Sequence, residues 1–469
     1  MDTAAMDAFV ASTRAAVFVR RADRVLMVRP DKAMTLNRSA AAILGALYDR
    51  EAPPAREALE RLAPELGVSV ERLLEDAGTL LEALGAVLED DFSPREGLRF
   101  APFDRSAVRY PTLSEIALTY GCQNRCTFCY ASSPHRGRRE RPMTTEQVVT
   151  VMEKIFHQAH VPSLSFTGGE ATLRRDLPEL IRRAKDIGFR VNLITNGIRL
   201  ADPVYARTLA EAGLDSVQVS LEGPDAAVHD AIVGRPGAFD ATTAGVRNVR
   251  ALGLHVHTNT TLCRGNIAAA DALIRFVRRE LGLGTLSMNM VIRTGEALAS
   301  GTTEVTYTEV AGRLPALLGT ARAERVRLVW YSPIPYCLFN PVEHGLGAKS
   351  CACVDGILSV DPAGRVLPCS SFGEGIGSLL EEDYATIRSG PAARYWERKA
   401  FVPPVCRDCP DVDVCGGACP LYWDAAGSFA ELPRPGSGGR WMRAWWEWRR
   451  RRGGSFGVRP ERASTGTEG

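Results

Sequence analysis

Three cysteines with the spacing Cys-x3-Cys-x2-Cys, namely Cys122, Cys126 and Cys129, constrain this chain more than any other feature. They follow the apolar run 116–118, which predicts a strand, so the three thiols lie in a loop at the strand's carboxyl end. A loop can fold three thiolates around one metal centre. A [4Fe–4S] cube has four irons, so three cysteines leave one iron open for a bidentate small molecule. A zinc knuckle or buried free cysteines are the alternatives, but structural zinc takes four ligands and no nearby histidine completes the set.

Strands and helices alternate from residue 115 to about residue 331. The predicted strands are 115–120, 163–167, 189–195, 215–221, 254–262 and 285–292, and the predicted helices include 145–159, 176–187, 203–212, 240–252 and 267–280. Six strand–helix repeats predict an α/β fold whose parallel sheet curls into a partial (β/α)6, TIM-like barrel. The active site of such a barrel lies at the carboxyl ends of its strands.

Polar and glycine-rich segments fall at these strand ends. Two glycines in Gly168-Gly169-Glu170 allow backbone to approach a ligand closely, and the carboxylate can accept hydrogen bonds from an ammonium group. The segments after the next two strands carry short polar side chains that suit a ribose or carboxylate. Four further residues could line the same mouth, and Cys263 is predicted to be buried and inert. These four are His229, Asn259, Thr260 and Arg293.

The cysteine loop, the following Tyr130 and the Gly-Gly-Glu segment together resemble the radical S-adenosylmethionine (SAM) superfamily. In those enzymes the open iron binds the amino and carboxylate groups of SAM, and an electron from the cluster cleaves SAM to a 5′-deoxyadenosyl radical. The resemblance implies a [4Fe–4S] cluster on Cys122, Cys126 and Cys129. It also implies these SAM-binding residues: Tyr130, Gly168, Gly169, Glu170, Thr195, Asn196 and Ser220. No catalytic residue beyond the cluster can be assigned.

A second group of cysteines follows the barrel. Cys353 and Cys369 give the pattern Cys-x10-Gly-x4-Cys around a predicted hairpin turn at 361–365, and four more give Cys-x2-Cys-x5-Cys-x3-Cys. Paired zinc knuckles are the structural alternative. The pattern resembles the SPASM extension of peptide- and protein-modifying radical SAM enzymes, which binds two auxiliary Fe–S clusters. The resemblance implies a first cluster on Cys353, Cys369, Cys419 and either Cys351 or Cys337, and a second cluster on Cys406, Cys409 and Cys415.

The carboxyl terminus departs from that pattern. Relatives have a seventh motif cysteine about eighteen residues after the position of Cys419, whereas this chain has Ser437 there and no later cysteine. The second cluster could therefore have an open iron, a serine or aspartate ligand, or be unstable. The SPASM domain is expected to span 332–437. The tail 438–469 is expected to be disordered, the alternatives being a basic aromatic arm for a partner or an altered reading frame.

Residues 14–90 predict a separate winged-helix-like α+β domain, joined by a linker at 91–112 to a core at 113–331. Strands are predicted at 17–19, 25–28 and 34–36, followed by three helices, the first capped by Asn37 or Ser39. The unit could serve only as a stabilising cap. Its order of elements resembles the peptide-recognition domain of the pyrroloquinoline-quinone pathway's chaperone family, in which a leader peptide adds as a strand to the sheet edge.

Composition limits the other functions. A formal net charge of +2 over 469 residues argues against a nucleic-acid partner. No secretory signal or membrane-length apolar segment is evident, so no membrane partner is expected. Eight of the twelve cysteines fall between positions 337 and 419, and thiols at this density favour metal ligation in the cytoplasm over disulfides.

Taken together, these resemblances imply a radical SAM oxidoreductase that abstracts hydrogen from a ribosomally made precursor peptide, bound through its leader. The predicted cofactors are a [4Fe–4S] cluster with SAM and one or two auxiliary Fe–S clusters. A low-potential electron donor such as flavodoxin or ferredoxin is also expected. The alternatives are a radical SAM enzyme of tetrapyrrole (haem-type) side-chain chemistry and a non-catalytic Fe–S peptide carrier.

Overall fold

The protein was analysed as a computed structural model, which describes residues 1–28, 32–89, 108–137, 141–301 and 303–433. Most of the predicted linker, all of the predicted tail and Ser437 lie outside these residues. Within the described ranges, no helix combines the length and apolar character needed to cross a bilayer.

The amino-terminal unit is a three-stranded antiparallel sheet with four helices. The sheet has the order β1-β2-β3. Its elements are α1 (Thr3–Thr13), β1 (Val17–Arg20), β2 (Val25–Val28), β3 (Lys32–Thr35), α2 (Arg38–Leu47), α3 (Ala55–Leu66) and α4 (Val70–Leu88). The predicted cap is confirmed at Asn37, whose side chain accepts the N–H of Ala40 at 2.8 Å.

The helix α1 corrects the predicted boundary at residue 14. Met6 and Val10 on this helix are buried in the same core as Leu59 and Leu81 of the later helices. The unit therefore begins near residue 3. Sequence periodicity missed this helix because only two of its eleven residues are buried.

The central unit alternates strands and helices. Its strands are β4 (Leu113–Ala117), β5 (Ser163–Thr167), β6 (Arg190–Thr195), β7 (Ser216–Ser220), β8 (His255–Leu262), β9 (Thr285–Met290) and β10 (Arg327–Trp330). Its helices are α5 (Ser133–Arg136), α6 (Thr145–His157), α7 (Leu177–Ile187), α8 (Pro203–Glu211), α9 (Ala226–Val233), α10 (Ala238–Ala251), α11 (Ala270–Arg279), α12 (Glu296–Ser300) and α13 (Tyr307–Ala323).

The strands β4 to β10 form a parallel sheet in chain order, which confirms the predicted partial barrel and adds a seventh strand, β10. On the other side of β4 the sheet continues through β11 (Ile357–Val360), β12 (Arg365–Leu367) and β13 (Gly377–Ser378). The strand β11 pairs in parallel with β4 and antiparallel with β12. The predicted hairpin at 361–365 is therefore present, and it is built onto the barrel sheet.

The carboxyl-terminal region contains short helices: α14 (Tyr384–Ser389), α15 (Pro391–Glu397), α16 (Val412–Cys415) and α17 (Pro420–Ala426). Cys415 is the last residue of α16, and Cys419 directly precedes α17. The side chains of Tyr422 and Trp423 on α17 join the barrel core and pack around the ring of Tyr307 on α13. The cysteine-rich region thus packs directly on the barrel.

The amino-terminal unit is anchored at the amino ends of the barrel strands. Arg20, the last residue of β1, and Asp23, in the turn to β2, form an ion pair at 2.7 Å with side chains only 2% and 0% exposed. Arg20 also donates to the carbonyl oxygens of Pro111 at 2.7 Å and Tyr110 at 2.9 Å, directly before β4. Arg50 donates to the carbonyl of Ile187, before β6. These contacts lie opposite the strand ends that carry the cysteine loop.

Candidate functional site

The loop after β4 carries the first three cysteines and is held by backbone hydrogen bonds. The N–H groups of Arg125 and Thr127 donate to the carbonyls of Val233 and Ile232 at the end of α9, both at 2.9 Å. The carbonyl of Cys129 accepts the N–H of Glu296 at the start of α12. All three cysteines are partly buried and free of disulfides. The fold thus fixes the loop from two sides.

The three thiols are close enough to interact electrostatically. Burial raises the pKa of Cys122 to about 12, and the nearby Glu170 and Cys129 would repel its thiolate further. Burial, Cys129 and Cys122 likewise raise the pKa of Cys126 well above its usual value. Thiolates here therefore need a compensating positive centre, and iron bound by three cysteines supplies one.

The donor set suits an iron–sulfur cluster. Three cysteines on one loop can ligate a [4Fe–4S] cluster and leave one iron open, whereas structural zinc takes four protein ligands. Cys122, Cys126 and Cys129 would therefore hold a [4Fe–4S] cluster with one iron open to a further ligand.

The two glycines after β5 allow a close approach between loops. A Cβ on Gly168 would lie 2.2 Å from the carbonyl oxygen of Thr119, and one on Gly169 would lie 2.5 Å from the carbonyl oxygens of Tyr120 and Gly121. Gly169 and Glu170 donate their N–H groups to this same backbone at 2.7 and 2.9 Å. The glycines were predicted to admit a ligand, and in the structure they admit the cysteine loop.

Glu170 joins the ends of two strands. Its Oε1 accepts the N–H of Thr172 at 3.0 Å and the hydroxyl of Thr195 at 2.7 Å, and its Oε2 accepts the N–H of Asn196 at 2.8 Å. The residue is only 1% exposed. Since a carboxylate oxygen has two acceptor positions, Oε2 retains one for a further donor.

The other predicted SAM-binding residues are placed around the cysteine loop. The Nδ2 of Asn196 lies 3.9 Å from the Sγ of Cys122, and its Oδ1 accepts from Gln123 at 3.2 Å. The Tyr130 hydroxyl bonds Thr167, and its pKa is raised by burial and by Glu115. Ser220 ends β7 opposite Asn259. The structure therefore brings Glu170, Thr195 and Asn196 beside Cys122.

Sequence reasoning did not single out Glu222, which follows β7. Its Oε2 accepts the N–H of Thr261 at 2.8 Å, and its own N–H donates to Nδ1 of His229 at 3.0 Å. Burial raises the pKa of Glu222 to about 8, and its charge contributes to the raised pKa of Cys126. His229, predicted to line the mouth, instead buttresses this turn. The signal in the sequence was a carboxylate directly after a strand end.

Polar side chains from neighbouring strands bond one another across one face of the sheet. On β8 the side chains of Val256, Thr258, Thr260 and Leu262 are buried, while those between them are partly exposed. Three pairs illustrate the bonding: His257 with Gln218 at 3.2 Å, Asn259 with Asn289 at 3.0 Å, and Ser216 with Asn192 at 2.9 Å. These partly exposed polar side chains give one face of the sheet a polar lining.

The later cysteines form two sets. The Sγ atoms of Cys351 and Cys353 are 3.3 Å apart, Cys353 bonds Cys369, and Cys419 interacts electrostatically with Cys351 and Cys369. Cys406 interacts with Cys409 and Cys415. Cys337, predicted as an alternative to Cys351, interacts with this second set.

Comparisons with known proteins agree with this geometry. The radical SAM superfamily model matches residues 116–277, and the SPASM model, an iron–sulfur cluster-binding domain, matches residues 351–410. The chain contains a radical SAM domain and a SPASM domain. It is an enzyme that uses a [4Fe–4S] cluster with S-adenosylmethionine and auxiliary Fe–S clusters.

Two proteins are similar to this chain over most of its length, SuiB in fold and a heme synthase in sequence. SuiB of Streptococcus suis, solved with the precursor peptide SuiA, is similar over 87% of this chain and 94% of its own, at 14% identity and a TM-score of 0.63. SuiB bound to S-adenosylmethionine gives a TM-score of 0.64, at 14% identity over 87% of this chain and 96% of its own. The AdoMet-dependent heme synthase of Nitratidesulfovibrio vulgaris is 26% identical over 69% of this chain and 92% of its own.

Proposed function

We propose that this radical SAM enzyme oxidatively modifies a ribosomally made precursor peptide, whose leader adds as a strand to the edge of β3. The observation that carries the proposal is this edge. The strand β3 pairs only with β2 in the described part of the chain. Strand addition to an exposed edge is a general mode of peptide recognition.

The hydrogen-bond register identifies the groups available to a leader. Leu36 donates its N–H to the carbonyl of Arg24 at 2.7 Å. Met34, two residues earlier and paired with Leu26, therefore also directs its N–H toward β2. In an antiparallel ladder the N–H groups of alternate residues point away from that partner. Ala33 and Thr35 therefore present their N–H groups to the open edge.

The anchoring of the amino-terminal unit sets a requirement on the peptide. The amino-terminal unit contacts residues before β4 and β6, whereas Cys122 lies after β4. A leader bound to this unit is therefore held at the end of the barrel remote from the cysteine loop. A barrel strand of five or six residues spans about 17–20 Å. A fully extended chain covers about 3.3–3.6 Å per residue. We therefore expect at least about six residues between the bound leader and the modified residue.

The proposed chemistry assigns limited roles to the chain itself. When bound, the reduced cluster and SAM supply a carbon radical that removes hydrogen from an otherwise unreactive C–H bond. Glu170 would offer one acceptor position to the ammonium group of SAM, and Asn196, Thr195 and Ser220 would contact the nucleotide. The polar sheet face orients the peptide. A flavodoxin- or ferredoxin-type donor supplies the electron, and the thiol content favours the cytoplasm as the location.

The test is anaerobic co-expression with a short peptide encoded beside the gene, followed by measurement of the peptide's mass. We expect a mass change that requires Cys126. Ala33→Pro removes one edge N–H without removing a bond to β2, and should weaken peptide binding about tenfold. Ala33→Ser keeps the N–H and serves as the control. An unmodified peptide with normal SAM cleavage would contradict the peptide substrate.

The heme synthase relative supports a second candidate, tetrapyrrole side-chain chemistry. A porphyrin needs no strand edge, so Ala33→Pro would leave its turnover unchanged. Turnover of an iron porphyrin by the parent and by Ala33→Pro at the same rate, without any peptide change, would favour this candidate.

A further inference from the structure

Cys337 lies in a tight turn after the last barrel strand. The N–H groups of Leu338 and Phe339 both donate to the carbonyl of Pro335, at 3.0 and 3.1 Å. Ile334 and Phe339 on either side are 0% and 5% exposed and belong to the barrel core. Cys337 itself is exposed. The core thus fixes the position of the turn, and the turn presents the thiol outward.

This turn lies against the second set of cysteines. The N–H of Tyr336 donates to the Sγ of Cys415 at 3.5 Å, and the Sγ of Cys415 is 3.9 Å from the carbonyl of Ile334. The hydroxyl of Tyr336 accepts the N–H of Lys349 at 2.8 Å, which holds the ring in place. The residue before Cys337 therefore directly contacts a proposed ligand of the second cluster.

The two upstream cysteines have different neighbours. Cys337 lies within electrostatic range of Cys415, Cys406 and Cys409, and the N–H of the adjacent Tyr336 donates to the Sγ of Cys415 at 3.5 Å. The Sγ of Cys351 instead contacts Cys353 at 3.3 Å, and Lys399 donates to its carbonyl at 2.7 Å. Cys337 thus lies beside the set Cys406, Cys409 and Cys415, whereas Cys351 lies beside the set Cys353, Cys369 and Cys419.

We infer that Cys337 is the fourth ligand of the second auxiliary cluster, with Cys406, Cys409 and Cys415, and that Cys351 completes the first. The inference rests on the proposed assignment of those three cysteines to the second cluster. An upstream thiol in the turn takes the place of the motif cysteine that is absent at Ser437. Both auxiliary clusters would then be closed by four thiolates, so neither would offer an iron to the substrate, and their role would be electron transfer.

The test measures iron in a background lacking the first cluster, Cys122→Ala/Cys126→Ala/Cys129→Ala, after anaerobic reconstitution. This triple variant should hold about eight irons per chain in its two auxiliary clusters. Adding Cys337→Ala or Cys409→Ala to it should leave about four irons per chain. Cys337→Ala/Cys409→Ala should lose no more iron than Cys409→Ala alone, because both residues serve one cluster. Cys351→Ala/Cys409→Ala should lose both clusters. Cys263→Ala, in the barrel core, is the control that should keep about eight.

A conservative variant separates ligand loss from misfolding. Cys337→Ser keeps an oxygen that can bind iron, so we expect it to retain iron while changing the electron paramagnetic resonance spectrum of one auxiliary cluster. Ser437→Ala should change neither iron nor spectrum. Full iron with an unaltered spectrum in Cys337→Ser, or greater iron loss in Cys337→Ala/Cys409→Ala than in Cys409→Ala, would overturn the inference. Neither readout needs peptide or SAM, so failure of the proposed substrate would leave it standing.

Discussion

Oε2 of Glu170 accepts the backbone N–H of Asn196 at 2.8 Å, which ties the end of β5 to the end of β6 beside Cys122. Replacing this carboxylate leaves several buried donors without an acceptor, each costing about 1–3 kcal/mol. We expect Glu170→Ala to lower the free energy of unfolding by about 3 kcal/mol and to weaken SAM binding about tenfold.

Urea denaturation and equilibrium dialysis of labelled SAM measure these two effects. Glu153→Ala on α6 is the matched control, since 48% of the Glu153 side chain is exposed. Parental stability and parental SAM binding in Glu170→Ala would show that the carboxylate does not organise the site.

Gly169 packs against the cysteine loop so closely that no side chain fits. A Cβ there would lie 2.5 Å from two carbonyl oxygens, so Gly169→Ala must displace the backbone before Cys122. We expect this variant to lose the first cluster, measured as about four fewer irons per chain. Gly319→Ala is the control, because Gly319 is exposed on α13 with open space around it. That change should leave the iron content intact and stabilise the helix by up to about 1 kcal/mol.

The buried pair of Arg20 and Asp23 fastens the amino-terminal unit to the barrel. Removing one partner leaves the other charge buried and unpaired. Asp23→Asn should therefore lower the free energy of unfolding by about 3–5 kcal/mol and release the chain before β4. Hydrogen exchange at residues 108–112 would report the release. Arg21→Ala, which breaks an exposed pair with Glu65, should cost under about 1 kcal/mol. Equal exchange rates in Asp23→Asn and the parent would contradict this anchoring.

His229 makes stability depend on pH. Burial lowers its pKa to about 4. Its Nδ1 accepts the N–H of Glu222, so a proton added at Nδ1 would also break that bond. A histidine with a lowered folded pKa binds its proton more readily when unfolded, so its contribution is present above about pH 6.5 and is lost as the pH falls toward about 4. The loss amounts to roughly 3 kcal/mol.

Urea denaturation between about pH 7 and about pH 5 should therefore show a flatter pH dependence in His229→Gln than in the parent. His135→Gln is the surface control, with 71% of its side chain exposed. If the free energy of unfolding of His229→Gln fell with pH as steeply as that of the parent, a group other than His229 would be responsible for the loss of stability in acid.

Local signals were sufficient for much of the fold. Asn37 was predicted as a helix cap because its side chain precedes an apolar-periodic segment, and it caps α2. The barrel strands were predicted because each is a short apolar run followed by glycine or polar residues. The strand β10 was missed because Arg327–Trp330 has only four residues, too few for an alternating pattern to stand out.

Long-range pairings could not be derived from the sequence. The pairing of Ile357–Val360 with Leu113–Ala117 joins segments more than two hundred residues apart, and no local pattern records it. The choice between Cys337 and Cys351 likewise depends on which turn folds against Cys415. Sequence spacing favoured neither residue, and the contact of Tyr336 with Cys415 is the observation from which we infer the assignment of Cys337.

The most direct measurement is the production of 5′-deoxyadenosine by the anaerobically reconstituted protein with dithionite and SAM. We expect the parent protein to release deoxyadenosine and Cys126→Ala to release none, while Cys263→Ala retains the activity. Deoxyadenosine release by Cys126→Ala at the parental rate, or a parent that binds only zinc, would contradict it.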